Sequence, residues 1–275
     1  MQRALVLGGA TGLLGQALVL ELLATQEYHV ETLGRQDGNI FDPKFLKEAL
    51  RTNPYDLIFN TIAMTQVDDA EDHIKDARMV NAGFPEMLAH IVQNQACHVV
   101  HFSTDFVFEG TKKTPYLEED EPKPQSVYGM TKRHGEEILI KRIPTHLTIL
   151  RTAWLFGSGR KNFVTTMLNA GKKHGAVRVV ADQVGSPTFT NDLARWSVRL
   201  AKKRISGLFH AVNSGQASWY DLACTALTLA EIPCTVTPIS TDMWPQKATR
   251  PKYSVLDTTK LQGVLGEACR SWKDA

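Results

Sequence analysis

Tyr128 and Lys132 stand four positions apart in the run Tyr128-Gly129-Met130-Thr131-Lys132, a spacing that puts a phenol and an ammonium on one face of a helix. A free phenol ionises near pH 10, too high for ready proton exchange at neutral pH. A neighbouring cation stabilises the phenolate and lowers that value. Lowering it by about three units takes roughly 4 kcal/mol of differential stabilisation. A phenol tuned in this way can give its proton to an alkoxide as that alkoxide forms. The triplet Ser103-Thr104-Asp105 adds to the pair. It closes an apolar run, and a hydroxyl there can bond the same oxygen that Tyr128 protonates. Taken alone, the pair also fits a surface tyrosine and a solvated lysine.

The elements that would position these groups follow a regular pattern. Residues 4–7 read as a buried strand, and Leu14, Leu18 and Leu22 then recur every fourth position, as on a helix packed against a sheet. Residues 28–33, 56–59, 98–103 and 146–150 read as further strands. Between residues 33 and 56, Asp42-Pro43 opens a helix, with Asp as N-cap. Strands alternating with helices imply parallel pairing through right-handed crossovers, hence an α/β, Rossmann-type doubly wound sheet. Ligands of such sheets bind beyond the carboxyl ends of the strands, where Ser103 and Thr104 fall. The pattern weakens after residue 155, where glycines and prolines recur beside short strand-like runs at 178–181 and 208–212. The expected division is a dinucleotide-binding domain over 1–155 and a smaller C-terminal substrate-binding lobe over 156–275, with 187–212 returning to the first domain. The acidic, proline-bearing segment 118–124 reads as a solvated surface loop.

The first strand is followed by Gly8-Gly9-Ala10-Thr11-Gly12-Leu13-Leu14-Gly15. Glycines at 9, 12 and 15 permit a tight turn and close approach of backbone to ligand, and the first N–H groups of the helix can hold a pyrophosphate. Gly9, Gly12, Leu13 and Leu14 are therefore the expected phosphate cradle of a dinucleotide. An oxidised nicotinamide would share with Lys132 the task of acidifying Tyr128. After the second strand the chain reads Leu33-Gly34-Arg35, where an NAD site usually carries an acid. A guanidinium pairs with a 2′-phosphate, so Arg35 points to NADPH, with NADH as the lesser option. The other reading leaves Arg35 solvated and gives the ribose to Asp37.

Composition fits a soluble enzyme. The 275 residues are 43% hydrophobic and 22% charged, with 31 basic against 29 acidic side chains. A formal charge of +2 gives no support for a nucleic-acid or membrane-surface partner. Cys97, Cys224, Cys234 and Cys269 form no Cys-x-x-Cys pair and read as reduced thiols, with no metal site expected. No leader segment or membrane span is read in the chain, and the expected compartment is cytoplasmic.

With these residues in place, the sequence resembles the extended short-chain dehydrogenase/reductases, and among them the dTDP-4-dehydrorhamnose reductase family. The resemblance runs over nearly the whole chain. It rests on the opening glycine turn, Asn60 with Val67-Asp68-Asp69-Ala70-Glu71, and Ser103-Thr104-Asp105-Phe106-Val107-Phe108-Glu109-Gly110. It continues through Tyr128 to Lys132 with Gly135-Glu136, Arg151-Thr152-Ala153-Trp154-Leu155-Phe156-Gly157 and Asn162-Phe163. Asp182-Gln183-Val184-Gly185-Ser186-Pro187-Thr188 and Arg250-Pro251 complete it.

The resemblance implies reduction of the C4 ketone of a dTDP-4-keto-6-deoxy-L-sugar. It makes Tyr128 the proton donor, gives Lys132 to the nicotinamide ribose, and sets Thr104 to tune Tyr128 and hold the keto oxygen. Asp105 and Trp154 would contact the sugar, Asn39 and Ile40 the adenine, and Ala63 and Thr65 the ribose side. Trp154 also reads as core and Asn39 as a turn residue. Arg250 is open between the substrate diphosphate and a surface loop. The family also allows a homodimer, although no acidic cluster suggests a metal-bridged one. This chain departs from the pattern at Phe106, commonly Tyr, at Asn39, frequently Asp, and at Thr61-Ile62, usually Ala-Ala. Related dehydratases carry Glu where Phe106 stands, which disfavours dehydration here. Two further readings remain open: a cofactor-binding regulatory subunit, as the β subunit of methionine adenosyltransferase is, and a reductase of another nucleotide sugar.

Overall fold

The computed structural model describes residues 1–52 and 54–275. The first half runs β1 (Gln2–Leu7), α1 (Leu13–Thr25), β2 (Tyr28–Leu33), α2 (Pro43–Thr52) and β3 (Leu57–Asn60). Two short helices, α3 (Val67–Asp72) and α4 (Ile74–Arg78), lead through a π-turn at Met79–Gly83 into α5 (Phe84–Val92). Next come β4 (His98–Thr104), α6 (Val127–Arg142) and β5 (Leu147–Thr152). The second half is built of smaller pieces: β6 (Leu155–Phe156), α7 (Phe163–His174), β7 (Ala176–Val180), β8 (Val184–Gly185) and β9 (Thr188–Phe189). It ends with α8 (Thr190–Lys202), β10 (Gly207–His210), β11 (Ala217–Ser218), α9 (Trp219–Leu229), β12 (Thr235–Ile239) and α10 (Thr259–Leu265).

Six strands form one sheet in the order β10-β5-β4-β3-β1-β2, and every neighbouring pair is parallel. This is the expected doubly wound α/β sheet. The chain order reverses at β1, with β2 on one side and β3 on the other, and a crevice opens beyond the carboxyl ends at such a switch point. Apolar clusters cover both faces of the sheet. One gathers Leu14, Leu18 and Leu22 of α1 with Leu193 and Trp196 of α8. The other joins Leu46 and Leu50 of α2, Leu88 of α5 and Leu139 of α6. Helix α1 is apolar nearly all round, yet only the four-residue stripe with its neighbours Gly15 and Ala17 is buried, and Leu20 and Leu23 face solvent.

Local chemistry sets the element ends as the sequence suggests. Asp42 Oδ1 accepts from Lys44 N at 2.9 Å at the start of α2. Ser126 Oγ accepts from Gly129 N at 3.1 Å at the start of α6. One surface expectation is corrected. In the 118–124 loop Glu118 is half-buried, because its Oε1 accepts from His210 N at 2.8 Å beside β10. Asp120 is also engaged, accepting from Lys112 Nζ at 2.5 Å. The four cysteines are free thiols. Among the described residues no helix is long and apolar enough to cross a membrane.

Candidate active site

A cleft of about 580 Å³ opens at the switch point. Its walls come from the segments that follow β1 (Gly12, Leu13, Leu14, Gly15), β3 (Thr61 to Ala63, Thr65), β4 (Asp105, Phe106) and β5 (Ala153, Trp154). Tyr128 and Lys132 project into it from α6. The second half of the chain contributes Lys161, Asn162, Trp219 and Arg250.

The glycine turn is shaped for an anionic ligand. Helix α1 starts at N-cap Gly12 with no side-chain cap and no acid in its first turn, so its first N–H groups and the positive end of its dipole face the cleft. A Cβ on Gly15 would lie 2.7 Å from Gly8 O and 2.8 Å from Gly9 Cα, so the helix and the turn touch backbone to backbone. Gly15→Ala should therefore cost about 1–3 kcal/mol of stability and weaken coenzyme binding as the turn shifts. Thermal unfolding and coenzyme titration of the variant would read both effects. Thr61 supports the same turn, with Oγ1 donating to Leu7 O at 2.7 Å. The Thr61 departure from the family pair thus packs behind the cradle.

Four residues expected at the cofactor lie off the cleft wall. Gly9 is a packing glycine, where a Cβ would come within 2.9 Å of Val6 Cβ and 2.8 Å of Thr32 Cγ2. Ile40 is 2% exposed, and its side chain belongs to the apolar core with Leu46 and Leu50. Asn39 makes a turn, its Oδ1 accepting from Phe41 N at 3.2 Å. Arg35 is exposed just beyond β2, its guanidinium 5.6 Å from the centre of the Phe41 ring. Asp37, the other candidate for the ribose, accepts from Gly34 N at 2.8 Å.

The acid–base groups gather at the inner end of the cleft. A Cβ on Gly129 would lie 2.2 Å from Phe106 O, so only glycine lets the start of α6 approach the segment after β4 this closely. That approach sets Tyr128 beside Thr104, whose hydroxyl acts to lower the phenol's pKa. The Tyr128 ring meets the Phe106 ring edge-on at 5.6 Å, where family members commonly present a second phenol. Thr104 Oγ1 donates to Asp105 Oδ1 at 3.1 Å, and Ser254 Oγ donates to Asp105 Oδ2 at 2.5 Å. Burial pushes the Asp105 carboxyl up to about 6, with the bonds from Ser254 and Thr104 opposing.

The protein's own groups do not acidify Tyr128. Burial pushes the phenol up to about 12; the Thr104 hydrogen bond opposes this and the Asp105 charge adds to it. The Lys132 amine is turned to the β4 backbone, where it donates to Phe102 O at 2.5 Å. Burial pushes Lys132 itself down to about 8, against the pull of Glu136. A weakly acidic phenol still serves as a donor when the acceptor is an alkoxide, a much stronger base than phenolate.

Glu136 lies one turn beyond Lys132 and forms a bidentate pair with Arg151 of β5, at 2.9 and 2.8 Å. Burial alone would raise the Glu136 carboxyl, but the Arg151 and Arg133 guanidiniums hold it below its ordinary value. The pair pins α6 to the sheet and so fixes the height of Lys132.

Trp154 follows β5 in a left-handed conformation, φ 47°. Its indole stacks on Trp219 at 3.5 Å and lies against Gly185, where a Cβ would fall 2.6 Å from Trp154 Cε2. Trp219 and Lys161 escaped the sequence reading. Ser218 caps the helix that Trp219 begins, but nothing local says that its ring meets one 65 positions earlier. Arg250 reaches the cleft while bound to Asp68, with Nη2 to Oδ2 at 2.7 Å and Nη1 to Oδ1 at 3.0 Å. This pair ties the segment before Pro251 to α3.

A family model described as RmlD substrate binding domain matches residues 2–275. The chain belongs to this family. Over 97% of its length it is 39% identical to a probable dTDP-4,6-dihydroxy-2-methyloxan-3-one 4-ketoreductase of Streptomyces antibioticus, covering 91% of that protein. In structure it is similar to a dTDP-4-dehydrorhamnose reductase of Clostridium acetobutylicum ATCC 824, with TM-score 0.93 and 37% identity. That match covers 99% of this chain and 96% of the other. It is also similar to the dTDP-4-dehydrorhamnose reductase of Bacillus anthracis str. Ames in complex with NADP, with TM-score 0.94, 31% identity and the same two coverages. Membership of the RmlD family thus spans both halves of the cleft, since the match includes the glycine turn and Arg250 alike.

Proposed function

We propose that this protein reduces the C4 ketone of a dTDP-4-dehydro-6-deoxy-L-sugar with NADPH, and that dTDP-4-dehydro-L-rhamnose is its substrate. The observation that carries this reading is the single cleft in which a pyrophosphate-shaped glycine turn faces Thr104, Tyr128 and Lys132. Full-length relatives that act on dTDP-linked ketones support it.

When bound, NADPH supplies the hydride. Gly12, Leu13 and Leu14 would hold its pyrophosphate, and Ala63 and Thr65 would line the ribose side. Lys132 would bond the nicotinamide ribose. Thr104 would turn its one hydroxyl hydrogen from Asp105 to the keto oxygen, holding that oxygen beside the Tyr128 phenol. As carbon C4 is reduced, Tyr128 would pass its proton to the developing alkoxide. Trp154, held rigid between Trp219 and Gly185, would form a flat wall for the sugar, with Asp105 bonding its hydroxyls. The second half of the chain would thus supply the substrate side of the cleft. The cytoplasm is the compartment that fits this reading.

The test is consumption of NADPH, followed by its absorbance, with dTDP-4-dehydro-L-rhamnose and with other dTDP-4-keto sugars. Selective turnover of the rhamnose precursor is expected; binding of NADPH with no turnover of any ketone would favour a regulatory subunit instead.

Arg35 is the residue that would meet a 2′-phosphate, being exposed at the end of β2 with no acidic side chain paired to it among the described residues. Charge reversal in Arg35→Glu should lower kcat/KM for NADPH by about ten- to a hundredfold, the scale of one charge-assisted hydrogen bond. NADH should be affected far less. Equal losses with both coenzymes would remove Arg35 from coenzyme selection.

A further inference from the structure

Behind the Tyr128–Lys132 pair lies a buried polar chain that proton donation does not use. Asn60 at the end of β3, His101 in β4 and Lys132 in α6 are 1%, 0% and 2% exposed. Asn60 Oδ1 accepts from Ile62 N at 3.2 Å, which turns the Asn60 amide nitrogen to His101 Nδ1 at 3.1 Å. An amide nitrogen only donates, so Nδ1 must accept, and a neutral imidazole then carries its one proton on Nε2. That Nε2 faces Lys132 Nζ at 3.4 Å.

The contact discriminates between the two forms of the lysine. An ammonium has three donors and no lone pair, so it meets the Nε2–H without an acceptor. A neutral amine has a lone pair that can accept that hydrogen. From this geometry we infer that His101, with its tautomer set by Asn60, is a positioning residue that holds Lys132 poised between ammonium and amine. The inference rests on the reductase reading, in which Lys132 serves the coenzyme.

The surroundings agree. His101 is driven well below the ordinary histidine value, by burial first and the Lys132 charge second, so the imidazole stays neutral. Burial likewise pushes Lys132 down to about 8, with Glu136 opposing. Along α6, Tyr128 stands one turn before Lys132, and Glu71 of α3 is engaged at the helix start, accepting from Val127 N at 2.8 Å. Arg151 and Arg133 take up much of the Glu136 charge, so His101 is left as the side chain that meets the amine directly, beside the Phe102 carbonyl that accepts from it at 2.5 Å.

The test uses the full chain labelled with [15N]histidine and [ε-13C]lysine, with and without NADP⁺. The expected result is an Nε2–H tautomer at His101 that does not titrate across the neutral range. His101→Gln can present a carbonyl oxygen to the ammonium, so the Lys132 midpoint should rise by about one pH unit, a tenfold change in acidity. The alkaline limb of kcat/KM should move with it. Asn60→Ala, which frees the tautomer, should shift the midpoint in the same direction and serves if His101→Gln does not fold. A His101 proton on Nδ1, or a Lys132 midpoint unchanged in a folded variant, overturns the inference. Failure of the wild-type protein to reduce any dTDP-4-keto sugar would sink the reductase reading alone, because the two spectra need no turnover.

Discussion

Tyr128→Phe is expected to lower kcat for ketone reduction by about 10²- to 10⁴-fold, the usual contribution of a positioned general acid. The substitution removes one oxygen and keeps the ring that meets Phe106 edge-on at 5.6 Å, so packing should survive. Coenzyme affinity should stay within a few-fold of wild type, because Lys132 and the glycine turn are untouched. Thr104 would lose its phenolic partner but keep its bond to Asp105. Steady-state rates with a dTDP-4-keto sugar, beside a coenzyme titration, separate the two effects. A variant that keeps more than a tenth of the wild-type rate would mean that the alkoxide takes its proton from elsewhere.

The second large effect concerns stability. Glu136→Ala leaves the Arg151 guanidinium 1% exposed and without its bidentate partner. Removing one member of a buried ion pair costs about 3–5 kcal/mol, because the other charge stays buried and unpaired. For a chain of this size that corresponds to a fall in Tm on the order of 10 °C. The sign of the pH dependence follows from the direction of the Glu136 shift. Its folded-state carboxyl lies below the ordinary value of 4.5, so its stabilisation is present above that pH and is lost as pH falls through the lower folded value. The variant should therefore lose stability less steeply than wild type on acidification. Calorimetric scans of both proteins between neutral and acid pH measure the fall and the slope together. Equal Tm values at neutral pH would show that the pair only replaces what water supplies.

Much of this architecture was legible in the residues. The strands at 4–7, 28–33 and 98–103 are short, apolar and bounded by turn residues, so periodicity and punctuation agree. The glycine turn follows β1 directly, and Ser103-Thr104-Asp105 closes β4, which places both at the sheet edge where the cleft opens. What stayed hidden depends on distance in space. Helix periodicity puts Tyr128 and Lys132 on one face but does not say what lies opposite, and the amine turned out to bond the Phe102 carbonyl. A backbone acceptor carries no signature in the sequence. The depth of the site was equally invisible, and depth is what raises Tyr128 and lowers Lys132. The resemblance sets Ile40 with Asn39 at the adenine and says nothing of its packing, and the chain folds its side chain into the core under α2. Arg250 was open between substrate and surface, and its partner Asp68 lies 182 positions away.

The most direct measurement follows the hydrogen that the ketone carbon receives. NADPH deuterated at C4 of the nicotinamide is incubated with the protein and dTDP-4-dehydro-L-rhamnose, and the sugar product is examined by NMR and mass spectrometry. One deuterium at sugar C4, with an unlabelled hydroxyl beside it, is the expected result. Recovery of unreduced ketone with the deuterated coenzyme intact and bound would contradict hydride transfer in this cleft.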